Sequence, residues 1–291
     1  MDNEISIYKS EEAKANCISI YEKAIQQWPL PFEQIDIDTS FGITHIIKTG
    51  PVNAKPMILL HGQWATATMW LSIIKDLCQK HYTYAIDQID DIGKSIPKKI
   101  INNRNEYGTW MINVLDKLNV SRADIVGLSY GGFLALNMAL ITPDRVNRLC
   151  LLAPGIPSFG PPTRSWAIHG LPMTMFPNRK TAEWLVRGMS VKGYQKGNHE
   201  FEQIIMGVLS LRSRIPIRPK FNDDEFARLQ MPIQLLLGEK ETMYEPRKAI
   251  IRARKLIPHI NTVLIKDAGH MLSTDQPELV KNNILQFIES V

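Results

Sequence analysis

Six short apolar runs, Met57–Leu60, Thr83–Ile86, Asp124–Val126, Leu149–Leu152, Ile233–Leu237 and Val263–Ile265, recur along the chain with helix-like stretches between most of them. Most of these runs end at Gly, Pro or Asp, and runs of this kind suit strands buried on both faces. Met69–Gln79, Glu106–Asn119, Gly131–Ile141 and Pro246–Ile257 read as the intervening helices. Pro277 opens a last one, whose stripe is Val280, Ile284, Phe287, Ile288 and Val291. Ahead of them, Gln34–Asp38 and Thr44–Thr49 alternate apolar and polar around Ser40-Phe41-Gly42, the pattern of a hairpin at a sheet edge. The pattern predicts an α/β fold: a mostly parallel sheet of eight strands, helices on both faces and an antiparallel hairpin at the start.

One segment breaks the rhythm. From Ile156 to about Ala227 there is no convincing strand, only prolines, aromatics and helical pieces such as Lys180–Met189 and Phe201–Leu211. About seventy residues exceed an ordinary connection, so a helical cap over one end of the sheet is expected at 156–227. The core then comprises 31–155 and 228–291. Residues 1–30 add an amphipathic helix ending at Trp28-Pro29, expected to pack on the main domain.

Composition narrows the function. An apolar fraction of 44% supports a real core, and no apolar run approaches the ~20 residues of a membrane-spanning helix. Met1–Ser10 lacks the basic start and apolar stretch of a secretory signal, so the chain is expected in the cytoplasm, without a membrane partner. Cys17, Cys78 and Cys150 are widely spaced and imply no disulfide framework. With no CxxC pair, HExxH or P-loop pattern, no metal or cofactor is expected. The 34 Lys and Arg against 29 Asp and Glu are scattered, which argues against nucleic acid. The oligomeric state is left open.

The chemistry concentrates at Gly127-Leu128-Ser129-Tyr130-Gly131, a G-x-S-x-G sequence between a strand-like and a helix-like segment. A serine at so sharp a turn needs small residues on either side, and the helix N-terminus beyond it favours developing negative charge. A hydroxyl is unreactive until a base takes its proton. Among seven histidines, His270 follows the last strand, in Asp267-Ala268-Gly269-His270-Met271, at the strand end that Ser129 shares. The carboxylate that orients it is expected after Ile233–Leu237, where Gly238-Glu239-Lys240-Glu241 offers two glutamates; Glu241 is preferred, with Glu239 and Asp267 as alternatives. The loop His61-Gly62-Gln63-Trp64 follows an early central strand, so the backbone N–H groups of Gln63 and Tyr130 are the expected oxyanion donors. Trp64 and Trp166 are candidate walls of a substrate pocket. Asp87 and Asp91 are read as structural rather than metal-binding.

The His61-Gly62 pair, the Gly127–Gly131 elbow, Gly238-x-x-Glu241 and Gly269-His270, in the order Ser, acid, His, resemble the α/β-hydrolase fold family over residues 30–291. Trp28-Pro29, Leu59-Leu60-His61-Gly62 with Trp70, and Asp87 to Pro97 are similar to bacterial carboxylesterases of the NP type. Glu241 stands where aspartate is the commoner acid. The resemblance implies a serine hydrolase that cleaves carboxylic esters through an acyl-enzyme, without a cofactor. Alternatives on the same fold are a cofactor-free haloperoxidase or perhydrolase, a thioesterase, a C–C hydrolase, or a non-enzymatic receptor for a small signal.

Overall fold

The computed structural model describes residues 5–212 and 220–290. A hairpin, β1 (Phe32–Thr39) and β2 (Gly42–Thr49), leads into the parallel strands β3 (Lys55–Leu60), β4 (His81–Ile86), β6 (Ala123–Leu128), β7 (Val146–Leu152), β8 (Ile233–Gly238) and β9 (Asn261–Ile265). They lie in the order β1-β2-β4-β3-β6-β7-β8-β9, with β2 antiparallel to both its neighbours on that path. All eight expected strands are present. A ninth, the two-residue β5 (Ile96–Pro97), pairs with Gly42 and Ile43 of β2 and is too short to leave an apolar pattern. β6 is buried along its whole length, as is β8, because both faces of the central sheet are covered.

The expected helices are α3 (Arg104–Lys117), α4 (Tyr130–Ile141), α8 (Pro246–Leu256) and α10 (Pro277–Glu289). Val280, Ile284, Phe287 and Ile288 are buried as their stripe predicts, while Val291 lies outside the described residues. The single helix expected over 69–79 is instead a 3₁₀ turn at Ala67–Ser72 followed by the short α2 (Ile74–Leu77). Ile73 leaves helical dihedrals at φ −129° and its N–H returns to Trp70 O, which breaks the run. α1 (Glu11–Ile25) contributes Tyr21 and Ile25 to the main core, joined by Trp28 beyond its end.

Residues between β7 and β8 hold α5 (Arg164–Met175), α6 (Arg179–Met189) and α7 (His199–Ser210). Gly170 and Pro172 hide α5 from a reading by helix propensity. α6 is announced by a capping box between Asn178 and Thr181. These helices build a second apolar cluster around Ala182, Leu185, Val186, Phe201 and Ile205, separate from the core under the sheet. α1 packs against α7 as well as the 3₁₀ turn, and Tyr8 bridges Leu211, so the N-terminal segment touches the insertion as well as the core. Among the described residues, no helix is long and apolar enough to cross a membrane.

α3 is fastened to the hairpin by a buried hydrogen bond from Trp110 Nε1 to Thr44 Oγ1 at 2.8 Å, both residues being fully buried. Thr44→Val keeps the shape and orphans the indole N–H. It should therefore destabilise the protein by ~1–3 kcal/mol, read as a lower urea midpoint; an unchanged midpoint would show that the bond carries no stability.

Candidate active site

β6 ends at Leu128, and the next residue turns the chain directly into α4. Ser129 sits at φ 51°, ψ −112°, a left-handed conformation that costs a non-glycine residue on the order of 1–3 kcal/mol. Backbone bonds hold it there. Ser129 N–H donates to Leu152 O at 2.9 Å, and its carbonyl accepts from Phe133 at 3.0 Å and Gly155 at 2.7 Å. Two glycines make the turn sterically possible. A Cβ on Gly127 would lie 2.4 Å from Gly131 O, and one on Gly131 would lie 2.1 Å from Leu60 O. The Gly131 N–H donates to His61 O at 2.9 Å, so this amide of the helix start is used to stitch the elbow to the loop after β3.

His270 Nε2 lies 2.8 Å from Ser129 Oγ, and His270 Nδ1 lies 2.7 Å from Glu241 Oε2. A carboxylate can only accept, so Nδ1 carries the proton and Nε2 accepts from the serine hydroxyl. All three residues are buried. Glu241 is itself fixed by the Met243 N–H, which donates to Oε1 at 2.7 Å. Ser129, His270 and Glu241 thus form a hydrogen-bonded Ser–His–Glu triad, brought together from three separate strand ends. The other two carboxylates lie elsewhere: Asp267 is exposed and paired with Lys240 at 2.9 Å, which lowers its pKa, and Glu239 faces solvent.

The loop after β3 is equally constrained. His61 donates from Nδ1 to Gly62 O at 2.8 Å and accepts at Nε2 from Gln88 N–H at 3.1 Å, an arrangement that needs the neutral ring. Complete burial agrees, holding its pKa down at about 4. Gln88 also donates to His61 O at 2.5 Å. Trp64 is left-handed at φ 62°, and its N–H donates to Asp91 Oδ2 at 2.8 Å. Asp91 Oδ1 accepts from Ile92 N–H, while Asp87 accepts from Ala67 and Lys94 N–H. Both aspartates therefore tie loop backbones together. The Tyr130 phenol points away from the serine, to Asp90 and Tyr107 at 2.7 Å each, so only its backbone can face the reaction.

A cavity of about 20 Å³ adjoins Ser129 and His270, walled by Gly62, Gln63, Met69, Met189, Ile204 and Met271 among others. That is room for about one water molecule. Trp64 and Trp166 are not among its walls; both pack against the apolar cluster of α5–α7.

Sequence reasoning missed the residues that seat these helices on the histidine loop. Asp275, in the short α9 (Leu272–Asp275), accepts from Gly269 N–H at 2.7 Å, Ser190 Oγ at 2.5 Å and Val191 N–H at 3.2 Å. Met271 N–H donates to Met189 O at 3.0 Å, and Thr274 Oγ1 donates to Glu200. Apart from Gly269 and Asp275, six residues apart, these partners are distant in sequence, and no local motif marks them.

Residues 57–282 match the model of the alpha/beta hydrolase family. The chain belongs to that family. An uncharacterized carboxylesterase, nap, of Bacillus subtilis is 34% identical over 275 residues, 93% of this chain and 91% of that one. The solved structure of B. subtilis carboxylesterase CesB (YbfK) superposes with a TM-score of 0.88 at 33% identity, covering 96% of this chain and 99% of that one. Naproxen esterase (carboxylesterase NP) of B. subtilis gives 0.87 at 33%, covering 97% and 100%. The α/β-hydrolase assignment made from the elbow and the two glycine-flanked loops is thus borne out.

Glu200 yields a pH test. Burial, with Asp275 nearby, lifts its carboxyl to about 7, against the lowering effect of its bonds to Thr274 and Ser72. The folded protein then keeps a proton that an unfolded glutamate releases near ~4.3. Its contribution to stability is full below that value and is lost as pH rises through about 7. Glu200→Gln should flatten the fall in thermal midpoint between pH 5 and 8, and parallel wild-type and mutant curves would contradict this.

Proposed function

We propose that this protein is a carboxylesterase that cleaves small esters through an acyl-enzyme on Ser129. The observation that carries the reading is the continuous buried path Glu241–His270–Ser129, ending on a serine held in a left-handed elbow. In this reading Ser129 Oγ attacks the ester carbonyl while His270 Nε2 takes its proton, and Glu241 stabilises the imidazolium that forms. His270 then returns the proton to the leaving alcohol. Water, activated by the same nitrogen, attacks the acyl-enzyme and releases the acid. The tetrahedral oxyanion is assigned to the backbone N–H groups of Gln63 and Tyr130. Support comes from the rigid His61–Trp64 loop, from Gln63 on the cavity wall beside Ser129, and from Tyr130 as the first residue of α4.

A cavity of about 20 Å³ admits no ester, so the substrate reaches Ser129 only when the α6–α7 wall, Met189 and Ile204, shifts. We assign the cap role to 156–227, the core to 31–155 and 228–291, and an accessory helix to 1–30; the separate apolar cluster of α5–α7 supports this division. Trp64 and Trp166, packed on that cluster, would then wall the acyl group once the cap side has moved. A reducing, cytoplasmic setting suits three buried cysteines that form no disulfide among the described residues.

Turnover of short-chain p-nitrophenyl esters tests the reading. Ser129→Ala should lower kcat on the order of 10⁶-fold and Glu241→Ala on the order of 10⁴-fold, with little change in KM. Asp267→Asn should stay near wild type. An inert wild type, or a Ser129→Ala variant of undiminished activity, would overturn the assignment.

A further inference from the structure

The outer face of α5 carries its apolar residues on the wrong side for a core helix. Ile168, Leu171 and Met175, at helical spacing, are 57–62% exposed, and Phe176 follows at 65%. Met173 is the one buried residue of this helix. Trp184 of α6 extends the patch: it is exposed, stacks on His169 at 5.0 Å between ring centres, and directs its indole N–H at Ile168 O. Elsewhere among the described residues, exposed large apolar side chains such as Phe32, Val52, Ile251 and Leu279 come from separate elements. A contiguous apolar patch of this kind marks a binding surface.

Charge identifies what the patch faces. Residues 156–212 hold seven Lys and Arg, three Glu and no Asp, which accounts for four of the five net positive charges of the whole chain. Glu200 is buried, and Glu183 and Glu202 are paired with Arg179. Arg164, Lys180 and Arg187 are exposed and make no ion pair among the described residues. They also stand beside the patch: Arg164 is four residues before Ile168 on α5, while Lys180 and Arg187 flank Trp184 at helical spacing on α6. A second copy of the chain would bring the same positive rim and be repelled. An apolar stripe with a cationic border fits the boundary of an anionic bilayer, where side chains of the first kind enter the acyl region and the second meet headgroups.

We propose that the α5–α6 face is a peripheral docking surface for anionic lipid. The expectation of no membrane partner rested on the length of apolar runs and on the character of Met1–Ser10, which bear on spanning and export and not on docking. The proposal concerns binding and stands apart from the carboxylesterase reading.

The test is co-sedimentation of the full chain with vesicles of phosphatidylcholine alone or mixed equally with phosphatidylglycerol. The protein should pellet with the mixed vesicles, remain in solution with phosphatidylcholine, and be released by salt, which screens exposed charges over ~8 Å at 0.15 M. The triple variant Ile168→Ser, Leu171→Ser, Phe176→Ser should bind ~10-fold or more weakly, and Lys180→Glu with Arg187→Glu should abolish charge selectivity. Because all five side chains are exposed, thermal midpoints should stay at the wild-type value, which separates lost docking from lost folding. A wild type that stays in solution with both vesicles, or variants that pellet like wild type, would overturn the proposal. Self-association abolished by the triple variant would overturn it too, by assigning the stripe to a second copy.

Discussion

The site depends on one backbone contact, the approach of Gly131 to the end of β3. Only with no side chain at 131 can its N–H reach His61 O, and that bond clamps the nucleophile elbow against the loop that carries Gln63. Strand order does the rest. β3, β6, β7 and β8 are neighbours, and parallel pairing brings the ends of β6, β8 and β9 to the same edge of the sheet. Loops after those strands deliver Ser129, Glu241 and His270 from positions 141 and 29 residues apart in the chain to bonds of 2.8 and 2.7 Å. Strain at Ser129 is held by three backbone bonds to its surroundings, so the hydroxyl is aimed before any substrate arrives.

Around this rigid edge, buried polar groups connect the catalytic loop to the inserted helices. Asp275 accepts from Gly269 on one side and from Ser190 and Val191 on the other, while Met271, next to the catalytic histidine, joins the apolar cluster of α5–α7. Packing of those helices and placement of His270 are therefore physically linked. Enclosure of the triad also matters for chemistry, because a water-poor surrounding strengthens both the imidazolium–carboxylate attraction and the pull of oxyanion donors.

Much of this was legible in the residues. Buried parallel strands advertise themselves as continuous apolar runs, so β3, β4, β6, β7 and β8 could be placed without a structure; β9 shows a similar run but is an edge strand in which only Ile265 is buried, so the expectation of burial on both faces fails there. Gly127 and Gly131 flank Ser129 because the turn admits nothing larger, and Gly269-His270 and Gly238-x-x-Glu241 follow strands for the same positional reason. What stayed hidden is set by distant partners. β5 exists through its pairing with Gly42 and Ile43, α5 forms across Gly170 and Pro172 by packing on α6, and Ile73 interrupts a run that reads as one helix. Asp91, Asp275 and Glu200 bond across 27, 85 and 74 residues, and such separations leave no periodic trace. The small cavity likewise arises from five segments, the loop after β3, the elbow, α6, α7 and the histidine loop, and cannot be read from any one of them.

The most direct measurement is covalent labelling of the native protein with diisopropyl fluorophosphate, followed by intact mass and peptide mapping. A buried serine activated by His270 should take up one phosphoryl group per chain, located on the peptide carrying Ser129, and His270→Ala should slow that labelling severely. Modification at another residue, or a chain that remains unlabelled while folded, would contradict an activated serine at the Ser129 elbow.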